Sequence, residues 1–294
     1  MAAMGSLYGF EVKTDMALRR LNAAPGTRGE LTVAAATGRL AFPGVEPASE
    51  VLGEDGRRVY ASYALDSGEC LVELPPVGTF LLQPAANEVV AELDGGDDEL
   101  AEHRVASSAI CTLLALRGDL VLHASAVEVG GRAAIFCGPT RRGKSTLVRA
   151  LGEGGYPILG EDGIAIELGG AEPVAYPGAR GVRVRKEGPG GAPRTELLAD
   201  PGPGEPAPCP AAAVVLIDKR GARLAVEPLD PARAVALLTP SLVHAGDRAS
   251  IAAAFSRLAT LLRTVPAFRA SLPDGLDRLG VAAEELLTST GIRG

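Results

Sequence analysis

Residues 133–146 read AAIFCGPTRRGKST. An uninterrupted apolar run, Ala133 to Cys137, leads into Gly138, and four residues later come Gly143, Lys144 and Ser145. The spacing fits GxxxxGK[ST], a loop between a strand and a helix whose backbone N–H groups turn inward around phosphates. The helix that follows adds its own unpaired N–H donors at its N-terminus. Gly138, Pro139, Thr140, Arg141, Arg142, Gly143, Lys144, Ser145 and Thr146 are therefore expected to cradle ATP. Lys144 would reach the β- and γ-phosphates, and the Ser145 hydroxyl would ligate Mg²⁺. The competing reading is a glycine-rich turn with an incidental lysine. Arg141 and Arg142 stand where small residues are commoner, and arginine in place of glycine disfavours positive φ. Either the loop tolerates them or nucleotide binding is altered.

Working outward, Leu120–Val129 and Arg132–Cys137 are apolar segments joined by Gly130-Gly131, a two-residue connection that predicts a hairpin. Beyond the loop, Leu147, Val148 and Leu151 give one face of a helix that Gly154-Gly155 stops. YPILGEDGIAIEL then reads as a strand, an acidic pair (Glu161 and Asp162) and a second strand. Phosphate-loop proteins place a Mg²⁺ carboxylate after such a strand, although a solvated turn is the blander reading. His123, taken alone, reads as a residue packed at a strand end.

Residues 1 to about 96 are predicted to be β-rich, with segments at 29–36, 58–65, 70–74, 79–83 and 88–93. Asp97 is a candidate N-cap for a helix to Arg117, ended by Gly118. The division expected is a β-rich domain, 1–105, and a catalytic domain, 106–294. Gly188–Pro210 is dense in Gly and Pro and is predicted to be a loop. Ala211–Ile217 predicts a buried strand, Asp230-Pro231 a helix start, and 250–263 and 277–287 two more helices. The alternation in 180–185 leaves Arg180, Arg183 and Arg185 as either a polar strand face or a phosphate- or acid-steadying set.

The formal charge of −7 argues against a nucleic-acid partner, which favours a basic surface. Only four of the 29 basic residues are lysines, and one of them is Lys144. Cys70, Cys111, Cys137 and Cys209 form no CxxC pair and read as reduced, buried thiols of a cytoplasmic protein. His103, His123 and His244 lack metal-ligand spacing. No apolar run approaches the roughly 20 residues of a membrane span, and the opening lacks a signal peptide's apolar core.

LHASAVEVGGRAAIFCGPTRRGKST with ILGEDGIAIE, within Leu122 to Glu167, resembles the catalytic domain of HPr kinase/phosphorylase and its bacterial relatives. The resemblance implies an α/β fold with a P-loop kinase core of the HPr kinase/PEP-carboxykinase-like type. It puts His123 near the active site, makes Glu161 the general base toward an acceptor hydroxyl, and gives Asp162 to Mg²⁺. The family usually has two aspartates here, so Glu161 departs from it by one methylene. LYGFEVKTDMAL is similar to the opening of relatives that accompany ribosomal-peptide biosynthesis, lasso peptides included, and AYPGARGVRVRKE to the stretch after their acidic pair. The activity implied is ATP-dependent phosphorylation of a Ser or Thr hydroxyl on a peptide or small protein, with room for a homo-oligomer. The alternatives are a nucleotide-binding regulator without transfer, and a GTP-binding NTPase, which the absence of an NKxD motif disfavours.

Overall fold

The computed structural model describes residues 3–53, 55–96, 98–139, 142–187, 193–198, 203–274 and 279–292, in a mixed α/β arrangement. The first eight strands are β1 (Ala3–Leu7), β2 (Phe10–Thr14), β3 (Glu30–Ala35), β4 (Ser49–Leu52), β5 (Arg58–Ala64), β6 (Cys70–Leu74), β7 (Gly78–Gln83) and β8 (Glu88–Leu93). They form one sheet in the order β1-β2-β3-β8-β7-β6-β5-β4. β2–β3 and β3–β8 are parallel, and the other neighbours are antiparallel. Burial alternates along β7 and along β2, as expected of strands with one face on a core. That face carries Phe10, Val12, Val33, Val72, Phe80 and Val89.

A helical run covers it: α1 (Asp98–Arg104), a π-helical turn over Val105–Ile110, and α2 (Cys111–Arg117). Gly118 closes the run at φ 111°, a left-handed position that favours glycine. The residue 105/106 boundary expected from sequence falls inside this run. Ile110, Leu113 and Leu114 pack both on the first sheet and on Val121, Ala165 and Tyr176 of the next one, so a single core joins them.

The second sheet contains β9 (Leu120–Leu122), β10 (Ala124–Val129), β11 (Arg132–Cys137), β12 (Ile158–Gly160), β13 (Ile164–Glu167), β14 (Val174–Tyr176) and β17 (Cys209–Gly221), in the order β12-β10-β11-β17-β14-β13-β9. β19 (Ala267–Pro273) lies parallel to β17, and β18 (Ala225–Leu229) pairs with β19. Both faces are covered. On one lie α3 (Lys144–Glu153) and α6 (Leu279–Ser289); on the other lie α4 (Pro231–Leu238) and α5 (Arg248–Leu261). This explains why AAIFC is continuously apolar. Ile135 and Cys137 face the α4/α5 side, while Ala134 and Phe136 face α3. Gly130 and Gly131, at φ 56° and 76°, make the predicted hairpin between β10 and β11.

Two expectations need correction. The apolar stretch 120–129 is two strands: β9 pairs with β13, β10 pairs with β11 and β12, and His123 stands at the break. The His123 N–H donates to Ser241 O at 2.7 Å instead of joining a ladder. The predicted 188–210 loop contains β16 (Pro193–Leu198), which pairs with β15 (Val182–Glu187), and Cys209-Pro210 already belong to β17. Ladder bonds to a neighbouring strand supply there what Gly- and Pro-rich local composition does not. Residues 188–192 and 199–202 of that stretch, and the expected cap Asp97, lie outside the described residues. Among the described residues no helix is long and apolar enough to cross a membrane.

Candidate functional site

β11 delivers the chain to Gly138 at φ 137°, where a Cβ would lie 2.2 Å from the Ile217 carbonyl oxygen. Only glycine fits between the two parallel strands at this point. Gly143, at φ 97°, is the N-cap of α3, and Lys144 is its first residue. The two left-handed turns of the loop thus fall on its two motif glycines. Thr140 and Arg141 lie outside the described residues. The Arg142 N–H donates to Pro139 O (3.4 Å), and Arg142 itself is exposed. Ser145 and Thr146 are half-buried in the first turn of α3.

Lys144 is 6% exposed. Its Nζ donates to Gly138 O at 2.6 Å and Pro139 O at 3.3 Å. Burial lowers its pKa, and the nearby Asp162 and Glu161 carboxylates oppose that shift. The loop lysine and the acidic pair therefore share one electrostatic environment, although they belong to different elements.

β12 ends at Gly160, Glu161 follows at 7% exposure, and Asp162 takes φ 61°. Aspartate is among the few non-glycine residues that take this left-handed conformation as a single residue. Two histidines meet it. The His123 Nδ1 donates to the Asp162 main-chain oxygen at 3.2 Å. His103 Nε2 lies 3.2 Å from Asp162 Oδ2, and since a carboxylate only accepts, the ring N–H donates. His123 Nε2 stands 3.9 Å from Oδ1. The turn also rests on a tight floor: a Cβ on Gly163 would come within 2.4 Å of Cys111 Sγ and 3.1 Å of the Tyr8 hydroxyl.

Tyr8 has φ 52° and is fully buried, and its hydroxyl donates to Ala106 O (3.2 Å) while accepting from Cys111 Sγ (3.2 Å). Burial pushes its pKa well up, with Cys111 and Asp162 adding to the shift. Burial likewise pushes the Cys111 and Cys137 thiols up to about 12, which makes both neutral packing groups. All four cysteines are free and buried.

The structure thus brings together Lys144, Glu161, Asp162 and His123. It adds His103, which shows no metal-ligand spacing in the sequence, and Tyr8, neither of which the sequence marks as a site residue. Arg180 is held elsewhere: its N–H bonds Arg20 O and its guanidinium pairs with Glu205 at 2.6 Å. With Arg19, Arg20, Glu99 and Glu102 it lines a cavity of about 540 Å³ beside α1. The side chains of Arg183 and Arg185 lie outside the described residues.

Among the described residues no three His, Cys, Asp or Glu side chains are grouped to hold a metal by themselves. A hydroxyl and a carboxylate, Ser145 and Asp162, are hard oxygen donors of the kind Mg²⁺ takes when phosphates and water complete its shell.

No protein-family model matches the chain, and no curated protein sequence matches it. Among solved structures it is similar to the HPr(Ser) kinase/phosphatase from Coxiella burnetii, with 10% sequence identity, a TM-score of 0.33, and coverage of 57% of this chain and 94% of that one. Likeness at that level assigns no activity.

Proposed function

We propose that the chain has a P-loop core and is an ATP-dependent kinase, transferring the γ-phosphoryl group to a Ser or Thr hydroxyl of a peptide or small protein, a ribosomal-peptide precursor included. The observation that carries this is the strand–loop–helix itself: Gly138 and Gly143 take positive φ at the two ends of the loop, and Lys144 is buried at the start of α3 with its Nζ on the loop carbonyls of Gly138 and Pro139. In this reading the loop amides and Lys144 hold the phosphates and stabilise charge on the transferred group. Glu161 takes the proton of the acceptor hydroxyl as its oxygen bonds the γ-phosphorus, the bond from that phosphorus to the β–γ bridging oxygen breaks, and ADP leaves. His123 orients the turn that carries both acids. Ser145 and Asp162 would hold Mg²⁺, which when bound draws charge from the phosphates.

The burial of Glu161 favours a second reading, a nucleotide-binding regulator without transfer, because an acceptor hydroxyl must reach that carboxylate. Incubation with γ-labelled ATP, Mg²⁺ and the peptides or proteins encoded beside the chain, followed by mass spectrometry, separates the two. A phosphate adduct that disappears with Lys144→Ala supports the kinase. MgATP binding with no adduct on any candidate moves the reading to the regulator, and no MgATP binding removes both.

A further inference from the structure

Asp162 sits in a left-handed turn between β12 and β13, and its carboxylate is met by a side chain from another element. Among the described residues, two histidines from outside the turn reach Asp162. One is His123, between β9 and β10, on the main-chain oxygen. The other is His103, whose side chain is 8% exposed and bonds the carboxylate itself. His103 comes from α1, which belongs to the N-terminal region. The preceding residue fixes that helix in place: the carboxylate of buried Glu102 accepts from the backbone N–H groups of Arg19 and Arg20. Arg20 in turn exchanges backbone and side-chain hydrogen bonds with Arg180. His103 is therefore held from behind while its Nε2 faces Asp162.

We infer that His103 is a positioning residue for Asp162, and that the N-terminal region thereby completes the metal-binding side of the nucleotide site. The inference rests on the phosphate-loop reading above. A hydrogen bond from an outer group fixes which lone pairs of a ligating carboxylate remain for the metal, and loss of such a partner typically weakens metal affinity about 10- to 100-fold. His103 touches neither phosphate nor acceptor in this scheme, so ATP without metal should not sense it.

The test compares the wild-type full chain with His103→Leu, His103→Gln and His103→Asn. Mn²⁺ affinity in the presence of ATP is read by electron paramagnetic resonance, and ATP affinity in EDTA by calorimetry. His103→Leu should weaken Mn²⁺ about 10-fold or more while metal-free ATP affinity stays within about twofold. His103→Gln, whose amide N–H can occupy the position of Nε2, should recover most of the loss; the shorter His103→Asn should not. Unchanged Mn²⁺ affinity in a folded His103→Leu overturns the inference. Should His103→Leu fail to fold, equal Mn²⁺ affinity of the Gln and Asn variants overturns it. A wild-type chain that binds no ATP defeats the underlying nucleotide reading instead, and the two failures are told apart by that measurement.

Discussion

Glu161 and Lys144 are ionisable groups that the fold removes from water, a cost that hydrogen bonds and opposite charge must offset. If Glu161 accepts the acceptor proton, Glu161→Gln keeps its volume and removes the base. Transfer should then fall roughly 10²- to 10⁴-fold, the usual range for a lost general base, while MgATP affinity changes little. Steady-state kinetics beside calorimetry checks this, and a variant that transfers at the wild-type rate takes the base role from Glu161. At Gly138 the expectation is structural: a Cβ meets the Ile217 carbonyl oxygen at 2.2 Å, so Gly138→Ala must push β11 and β17 apart. A thermal melt should show a loss of about 1–3 kcal/mol, and an unchanged melting point contradicts the packing described. The loop and the acidic pair were legible because each is a short contiguous run with a fixed spacing. His103 was not, because it meets Asp162 from 59 residues away, and no local pattern encodes that meeting.

Element by element, legibility followed the locality of the cause. β3, β7 and β8 alternate between buried and less buried positions and could be read directly. β16 and β19 take their structure from partner strands; in β19, Arg269 bridges Asp218 and Glu227 across neighbouring strands, a pairing invisible from its own residues. Helix starts were legible where a cap residue announces them, as at Asp230, whose side chain accepts from the Arg233 N–H at 3.0 Å. α5, expected over 250–263, begins at Arg248 behind an N-cap, Asp247, that the expectation did not name. The Asp247 Oδ1 accepts from the N–H groups of Ala249 and Ser250, both at 2.9 Å. Burial would raise the Asp247 pKa, but these bonds outweigh it, and the net shift is downward. A lowered carboxylate pKa means that the cap's contribution is complete above the ordinary aspartate range, near pH 4, and is lost as pH falls through the lower folded value. Asp247→Ala should therefore cost about 1 kcal/mol at pH 7. The gap between variant and wild type should narrow below about pH 4. Urea unfolding at both pH values reads this, and a gap that widens in acid contradicts it.

At the scale of the whole molecule, the two sheets share one core, and a buried ion pair crosses between them. Arg28, just before β3, reaches the carboxylate of Asp119, just before β9; their side chains are 13% and 8% exposed. The guanidinium also lies over the rings of Phe10 (4.5 Å) and Tyr176 (4.7 Å) and donates to Tyr8 O at 3.2 Å. It therefore ties the first sheet, the Tyr8 turn beneath the candidate site, and the second sheet into one unit. Burial raises the Asp119 pKa even though Arg28 and Arg117 pull it down. A carboxyl whose folded pKa exceeds its unfolded value makes the folded state less stable as pH rises through that window. Arg28→Met keeps much of the apolar contact with the rings and leaves Asp119 buried without its main partner. The loss should be about 3–5 kcal/mol at neutral pH, since breaking such a pair strands one charge. It should raise the Asp119 pKa further, so the deficit against wild type must shrink as pH falls from 7 toward 5. The double variant Arg28→Met with Asp119→Leu removes the stranded charge and should return to within about 1 kcal/mol of wild type. Denaturant unfolding of all three chains at pH 7 and pH 5 measures each step. A deficit below about 1 kcal/mol, or one that does not change with pH, means that the pair is not what holds the two sheets together. If the numbers come out as argued, the single variant should also weaken MgATP binding, because the floor under Gly163 is built from Tyr8, which Arg28 anchors.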